Sequence, residues 1–241
     1  MIDRLEVILL GITIFLFYMT FYTLYGYKVE KSVIRRIKDY LEELSKELGL
    51  EFKNLSTKAV RLGRHIVIIE PAPRYNPIVT RAMKRRGTLK EFIYVQTRNL
   101  PREEILFIPK SQKRLLSKYA GLVAQLEKVD LIHGIVSASK DAKLLEKIIR
   151  RNKDVFSRMA GLAEYIRYIY LEGGELESSF ALDLEKIKIF RELMRLHIDL
   201  VRVFERELSR DFSYSLSSLR CLRPLAFCVC LEYGLIIRHV A

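Results

Sequence analysis

The sequence predicts an α+β protein, in which an N-terminal transmembrane helix is followed by a mostly antiparallel sheet packed with helices. Residues 7–27 are 21 consecutive positions without a charge. After them, short β-branched runs bounded by proline and glycine are interleaved with segments of helical periodicity. Strands and helices mixed in this way, with tight hairpins between strands, are typical of the α+β class.

The segment from Val7 to Tyr27 has the length and composition of a membrane span. A helix of this length rises about 30 Å, the thickness of the hydrocarbon core of a bilayer. It also pairs its backbone N–H and C=O groups internally, which the membrane interior requires. Its tyrosines gather toward the C-terminal end, where an apolar ring with a hydrated hydroxyl suits the headgroup region. They are Tyr18, Tyr22, Tyr25 and Tyr27.

A cleaved signal peptide and a buried core helix are the two alternatives for this segment. A signal peptide has a basic start, a short apolar core and a small-residue cleavage site. Here Arg4 is opposed by Asp3 and Glu6, the apolar run is long, and no such site follows Tyr27. A core helix of a soluble protein is rarely so uniformly apolar. We therefore interpret the segment as an anchor.

The flanking charges predict the orientation of this anchor. Because basic flanks stay on the cytoplasmic side, we expect a single-pass protein of the cell membrane with its N-terminus outside and its C-terminal domain in the cytoplasm. One basic residue, Arg4, precedes the anchor, and five membrane-proximal ones follow it, namely Lys28, Lys31, Arg35, Arg36 and Lys38. The three cysteines do not form the even framework of a disulfide-stapled ectodomain. They are Cys221, Cys228 and Cys230.

The composition predicts the organisation of the rest of the chain. About 210 residues follow the anchor, enough for one domain with its own core. Lys, Arg, Glu, Ile and Leu abound while Asn and Gln are scarce, a bias that accompanies growth at high temperature. We divide the chain into an anchor (1–27), an amphipathic stalk helix (28–49), a cytoplasmic α+β domain (50–208) and an atypical apolar tail that contains the cysteines (209–241).

The stalk is expected to be a helix from Val29 to Leu48, ended by Gly49 in the left-handed conformation. Its apolar stripe must cover either the body of the domain or a second copy of itself. The stripe consists of Val33, Ile37, Leu41, Leu44 and Leu48.

The first half of the domain predicts strands. Runs rich in β-branched or aromatic residues and bounded by turn residues are found at His65–Glu70, Lys90–Arg98 and Ile105–Ile108. Residues 121–127 and 131–138 are expected to pair as a hairpin, with a helix as the alternative for the first arm. A basic helix is expected at 76–86, between the first two strands.

The second half predicts two short helices, a hairpin and a long helix. Ser139 is expected to cap the first helix and Asn152 to close it, and a second helix follows at 154–163. Strands at 166–171 and 176–182 flank Gly173 and Gly174, which supply the positive φ of a tight turn. A wide apolar arc predicts a broadly buried helix from Leu184 to Leu208. The first helix should bury Leu144, Leu145, Ile148 and Ile149.

One stretch of the domain has a recognisable order of elements. GIVSASKDAKLLEKIIRRN, followed by YIRYIYLEGGELESSFAL, combines a strand, a capped helix, a second helix and a Gly-Gly hairpin. This pattern resembles modules of uncharacterised single-span, membrane-anchored prokaryotic proteins, archaeal ones above all, over residues 121–182. The resemblance implies a membrane-anchored protein and carries no functional residue over to this chain.

The net charge of +13 is concentrated in one stretch. Between Arg61 and Lys118, fourteen basic residues are opposed by four acidic ones, a net charge of +10. A solvated surface, a surface for anionic lipid headgroups and a nucleic-acid-binding surface are the three interpretations. Aromatic residues interleave the basic ones, but no nucleic-acid-binding motif accompanies them. The residues expected to contact a membrane or a polyanion are Arg81, Lys84, Arg85, Arg86 and Lys90.

No motif in the chain predicts a catalytic centre, a metal site or a cofactor. The spacing of the cysteines does not match the C-x₂₋₄-C knuckles of structural zinc sites, and His65, His133, His197 and His239 are far apart in sequence. We therefore expect a membrane-anchored binding or scaffolding domain with the membrane, and a protein partner or a second copy, as its partners. The alternatives are a membrane-tethered nucleic-acid-binding protein and an enzyme without a recognisable motif.

Overall fold

The computed structural model describes residues 4–72, 83 and 89–220 of the chain. These residues form nine strands, six α-helices and a 3₁₀ helix at Leu184–Ile189. The helices are α1 (Arg4–Leu48), α2 (Lys113–Lys118), α3 (Ala120–Gln125), α4 (Ala142–Arg151), α5 (Lys153–Gly161) and α6 (Phe190–Arg220). The strands are β1 (Phe52–Asn54), β2 (Ala59–Leu62), β3 (His65–Glu70), β4 (Glu91–Thr97), β5 (Ile105–Pro109), β6 (Glu127–Val129), β7 (Ile135–Ser139), β8 (Ile166–Glu172) and β9 (Glu175–Leu182).

All nine strands belong to one antiparallel sheet, which confirms the predicted α+β class. The strand order is β1-β2-β3-β4-β9-β8-β5-β7-β6. The central pairs are long and regular, with Ile93 opposite Phe180 and Val95 opposite Ser178 in the β4–β9 ladder. The β8–β9 hairpin turns through Gly173 and Gly174, whose φ angles are 58° and 86°, as the sequence predicts.

Helices cover one face of the sheet and enclose the main core. The second half of α1 packs there together with α4, α5 and α6, against inward-facing side chains of the strands. Phe190 and Leu200 of α6 are fully buried, which confirms the broadly buried helix. It differs from the prediction at both ends: its first turns are a 3₁₀ helix, and it continues to Arg220. The largest fully buried side chains include Phe107, Phe180, Phe190 and Phe204.

α1 is a single unbroken helix with two different environments. Its side chains from Ile8 to Phe21 are exposed, whereas Ile37 and Leu41 are fully buried in the core. Its apolar stripe therefore covers the body of the domain and not a second copy of the chain. Gly49 has a φ of 64° and ends the helix as predicted.

The opposite face of the sheet carries a second, smaller apolar cluster. Short helices α2 and α3 pack there, with Val123 and Leu126 against Leu106, Ile108 and Ala138. The predicted hairpin arm at 121–127 was wrong in its first part, because residues 120–125 are helical and only β6 pairs with β7. The apolar side chains of this segment cover β5 and β7 from outside, which a strand in the sheet plane could not do.

The cap of α4 is Asp141 and not Ser139. The Asp141 side chain accepts a hydrogen bond from the Leu144 backbone N–H at 2.9 Å, and the Ser139 hydroxyl accepts one from the Asp141 N–H at 3.2 Å. Ser139 is the last residue of β7 and lies two residues before the cap position. Asn152 closes α4 as predicted, with its backbone N–H bonded to Ile148 and Ile149.

Candidate functional site

Among the described residues, α1 is the one helix long and apolar enough, by length and composition, to cross a membrane. Its apolar part is not packed inside the protein: Phe17 is 74% exposed and Leu10 62%. Such a surface on an otherwise well-packed chain indicates a region that another medium or partner covers.

Contacts made by two lysines show which end of the sheet lies next to this helix. Lys58, in the β1–β2 turn, forms an ion pair with Glu30 at 2.5 Å. Lys38 donates to the Asn54 side chain at 3.0 Å and to the Ser56 carbonyl at 2.5 Å. The β1–β2 turn therefore lies beside the first turns of α1 that follow its apolar part. We call this side of the sheet its anchor-side end.

The strand register extends the anchor-side end across the whole sheet. Ala59 of β2 lies opposite Ile68 of β3, near the end of that strand. From there the antiparallel pairs continue to β4, β9, β8, β5 and β7. The strand termini at this end are Ala59, Glu70, Glu91, Leu182, Ile166, Pro109 and Ile135. The connections at 71–90, 110–112, 130–134 and 183–189 consequently leave the sheet at its anchor-side end.

The two ends of the 71–90 connection are tied together. The Ala72 backbone N–H donates to the Glu91 carboxylate at 2.8 Å, and both residues are buried. This contact fixes where the most basic stretch of the chain leaves and re-enters the sheet. The predicted contact residues Arg81, Lys84, Arg85 and Arg86, and most of the helix expected at 76–86, lie outside the described residues.

The remaining predicted site residues gather on the same side of the domain. Lys90 directly precedes β4 and is half-buried. Lys38 is held against the β1–β2 turn, and burial lowers the pKa of its ammonium group. The exposed cations in the turns of α1 that directly follow its apolar part are Lys28, Lys31, Arg35 and Arg36.

The sequence did not single out other basic residues that the fold adds to this end. Lys110, Lys113 and Arg114 follow the anchor-side terminus of β5 and are exposed. Lys186 lies in the 3₁₀ helix, 3.4 Å from the Tyr165 hydroxyl. Lys110, Lys113 and Arg114 belong to the basic stretch from Arg61 to Lys118, whereas Lys186 is distant in sequence and is brought to this end by the strand order.

Beneath the sheet, four polar side chains form a buried hydrogen-bonded chain. His65 Nδ1 lies 2.7 Å from Thr97 Oγ1, which lies 2.7 Å from His197 Nε2. His197 Nδ1 lies 2.8 Å from Ser178 Oγ. Thr97, Ser178 and His197 are fully buried and His65 is 4% exposed. The alternation of inward-facing and outward-facing residues on β3 and β4 predicts that His65 and Thr97 point inward. Only the fold shows that His197 of α6 is a second residue that Thr97 contacts.

Burial sets the charge state of the two histidines in this hydrogen-bonded chain. It lowers the pKa of His65 to about 4, and nearby Arg64 adds to the effect. Burial also lowers the pKa of His197 well below its usual value. A serine bonded to a histidine has the atoms of a nucleophile and its base, but Ser178 is inaccessible. The arrangement therefore stabilises the core and cannot reach a substrate.

Two clefts flank α5. The first, the apolar cleft, lies between α4, α5 and the β6–β7 turn and has a volume of about 400 Å³. The second, the arginine cleft, has about the same volume and lies between α5 and α6. Its four arginines share two carboxylates, since Arg158 and Arg202 contact Asp199 and Arg151 and Arg206 contact Glu207, so their positive charge is only partly compensated by these pairs.

No family model matches the chain, and no curated protein matches it. Among solved structures, the chain is similar to the crystal structure of the mycobacterial trehalose monomycolate transport factor A, TtfA. The two chains are 12% identical, the match covers 71% of this chain and 96% of that chain, and the TM-score is 0.38. We carry no function over from this likeness.

Proposed function

We propose that this chain is a single-pass membrane protein whose cytoplasmic domain is a binding or scaffolding module, and that its anchor-side end contacts anionic lipid headgroups. The observation that carries the proposal is the Lys58–Glu30 ion pair at 2.5 Å. It lies beside the end of the apolar helix and thereby identifies the end of the sheet that would face the bilayer.

The continuity of α1 supports a defined orientation of the domain. The helix passes without a break from its exposed apolar part to Val33, Ile37 and Leu41, which are buried in the core. A helix that is itself part of the core cannot swivel as a flexible linker would. If the apolar part spans the membrane, the anchor-side end is held toward the lipid surface.

The distribution of charge supports attraction to that surface. The 71–90 connection, which contains Arg81, Lys84, Arg85 and Arg86, begins and ends at the anchor-side end, where Lys113 and Arg114 also lie. Each well-placed Lys or Arg contributes about 1 kcal/mol of attraction to an anionic leaflet. The attraction acts within a Debye length, about 10 Å at 0.1 M salt, so charges at the opposite end of the sheet contribute little.

Vesicle binding by an anchor-free fragment tests the proposal. A fragment from Lys28 onward should bind phosphatidylglycerol vesicles at low salt and dissociate at about 1 M salt, where the Debye length is about 3 Å. The double variant Lys113→Glu/Arg114→Glu should bind at least about tenfold more weakly, and so should the triple variant Lys84→Glu/Arg85→Glu/Arg86→Glu. Phosphatidylcholine vesicles should not bind.

The matched control places the same two charge reversals at the far end of the sheet. Arg102 and Lys143 are exposed and lie beside the far termini of β5 and β7, so Arg102→Glu/Lys143→Glu should leave vesicle binding nearly unchanged. Equal losses in the two double variants would contradict the proposed orientation. If single-stranded nucleic acid, added at the same total charge as the vesicle lipid, displaces the fragment from the vesicles, the result would favour the nucleic-acid-binding alternative.

A further inference from the structure

The apolar cleft combines an apolar floor with a basic rim. Its floor is formed by Ile132, Ile149 and Phe156, which are 4%, 4% and 2% exposed. Leu131, at the edge of the cleft, is 40% exposed. The polar side chains at the rim are His133, Arg150, Lys153 and Ser157, all of them accessible or partly accessible. A concave apolar surface with a few convergent polar groups is the usual form of a small-molecule site.

The charged residues that line this cleft are all basic. None of the residues that line it is acidic. Arg150 is paired with Glu146, one turn earlier on α4, at 2.6 Å. Lys153 has no carboxylate within ion-pair distance in the described part of the chain, and its neighbour Asp154 lines the arginine cleft on the other side of α5. An anion at the rim would therefore meet an uncompensated ammonium group.

We propose that the apolar cleft binds a single alkyl chain that carries an anionic carboxylate or phosphate headgroup. The floor would remove the alkyl chain from water, which favours binding in proportion to the apolar area buried. Lys153 and Arg150 would hold the headgroup through charge-assisted hydrogen bonds. The volume of about 400 Å³ lies near the lower end of the range for ligand pockets, which suits one chain better than two.

The location of the cleft is compatible with a ligand taken from a lipid surface. Leu131, Ile132 and His133 belong to the β6–β7 turn, which precedes Ile135 at the anchor-side end of the sheet. This relation of the cleft to the membrane rests on the proposed function, whereas the affinity of the cleft for an alkyl chain does not. The two proposals can therefore fail separately.

Photocrosslinking tests the cleft in the full-length chain. The protein is reconstituted in phosphatidylcholine nanodiscs, and a long-chain fatty acid with a diazirine near its methyl end is the probe. Crosslinks are expected on α4 and α5, around Ile149, Phe156 and Ala160. Unlabelled fatty acid and a monoalkyl phosphate should compete, while the alcohol of the same chain length should compete about tenfold less well, a difference of about 1.4 kcal/mol.

Matched variants distinguish the cleft from non-specific insertion. Ala160→Phe fills the cleft and Lys153→Glu reverses the charge at its rim, so each should reduce crosslinking on α4 and α5 at least about tenfold. Lys143→Glu, the same charge change on α4 outside the cleft, should leave it unchanged. If Ala160→Phe lowers the melting temperature, Ser157→Phe at the mouth of the cleft replaces it.

Two results would overturn the proposal. One is equal crosslinking of α4 and α5 in the wild type, Ala160→Phe and Lys153→Glu. The other is equal competition by the acid and the alcohol. Lysophosphatidylglycerol, which has one acyl chain and an anionic phosphate, distinguishes the sources of the ligand when it is added to the nanodisc: competition by this lipid points to the membrane, and no competition points to a free fatty acid. Vesicle binding by the anchor-side end should be unaffected by Ala160→Phe.

Discussion

The imidazole rings of His65 and His197 lie edge to face with their centres 5.5 Å apart, although one belongs to β3 and the other to α6. Both rings bond the same Thr97 hydroxyl. A hydroxyl donates one hydrogen bond and accepts others, so a directional chain from Ser178 through His197 and Thr97 to His65 is satisfied when both rings are neutral. A proton on either ring would introduce a buried charge, which explains the lowered pKa values.

This relationship predicts that the fold is acid-sensitive. In the unfolded chain the histidines titrate near 6.5, whereas in the folded protein the pKa of His65 is about 4 and that of His197 is also lowered. Between these values the unfolded state binds more protons, so the free energy of unfolding must fall as the pH falls. The pKa difference of His65 alone lowers the free energy of unfolding by roughly 3 kcal/mol once the pH has fallen through both pKa values.

Denaturant titration of the detergent-solubilised chain at pH 7.5, 6 and 4.5 measures this effect. The groups that face His65 are Arg64, Glu205 and Arg202. The hydrogen bond from the Arg64 guanidinium lowers the pKa of the Glu205 carboxylate. His65→Gln/His197→Gln should flatten the pH dependence. An unchanged slope in that variant would assign the acid sensitivity to other groups.

A second prediction concerns how much the buried hydrogen-bonded chain contributes to the free energy of unfolding. His197→Leu leaves the Thr97 and Ser178 hydroxyls without this partner, so it should reduce the free energy of unfolding by about 2–4 kcal/mol. Adding Ser178→Ala should recover part of the loss, because removing both partners of a buried hydrogen bond costs little, while Thr97 keeps its bond to His65. Calorimetric melting of the single and double variants tests this. A double variant that is less stable than His197→Leu would contradict the explanation.

Periodicity predicted the elements of this fold better than their partners. The strands at 65–70 and 91–97, the Gly173–Gly174 turn and the apolar stripe of α1 follow from local patterns. Those patterns do not show which segments contact each other. Tertiary packing, and not sequence spacing, brings His65 to His197 and Lys58 to Glu30. Segment 120–125 was ambiguous for the same reason, since a short apolar run suits a strand or a helix until its neighbours are known.

The burial of α1 predicts where the domain begins. Ile37 and Leu41 are fully buried, and Leu44 is 2% exposed, so a fragment that starts at Leu50 would lack one wall of the core. We expect the fragment from Lys28 onward to melt cooperatively and the fragment from Leu50 onward to be unfolded or aggregated. Circular dichroism and size-exclusion chromatography distinguish the two outcomes. A cooperative transition in the shorter fragment would show that the helix is a dispensable stalk.

The size of this contribution can be measured at one position. Leu41→Ala in the fragment from Lys28 onward should lower the free energy of unfolding by about 2–5 kcal/mol, as for other fully buried leucines. Arg36→Ala, on the exposed side of the same helix, is the control and should change it by less than about 0.5 kcal/mol.

The last prediction concerns the orientation of the chain in the membrane. Arg4 precedes the apolar segment, whereas Lys28, Lys31, Arg35, Arg36 and Lys38 follow it, and the exposed members of that group lie next to the end of the segment on α1. Because basic flanks are retained in the cytoplasm, protease added to intact spheroplasts should leave the domain whole, and lysis should expose it. Moving the basic charges to the other side of the anchor tests the cause of the orientation. The variant Lys28→Gln/Lys31→Gln/Arg35→Gln/Asp3→Lys/Glu6→Lys should make the domain of part of the population sensitive to protease before lysis. Digestion of the wild-type domain in intact spheroplasts would place it outside the cell and would remove its access to the cytoplasmic leaflet.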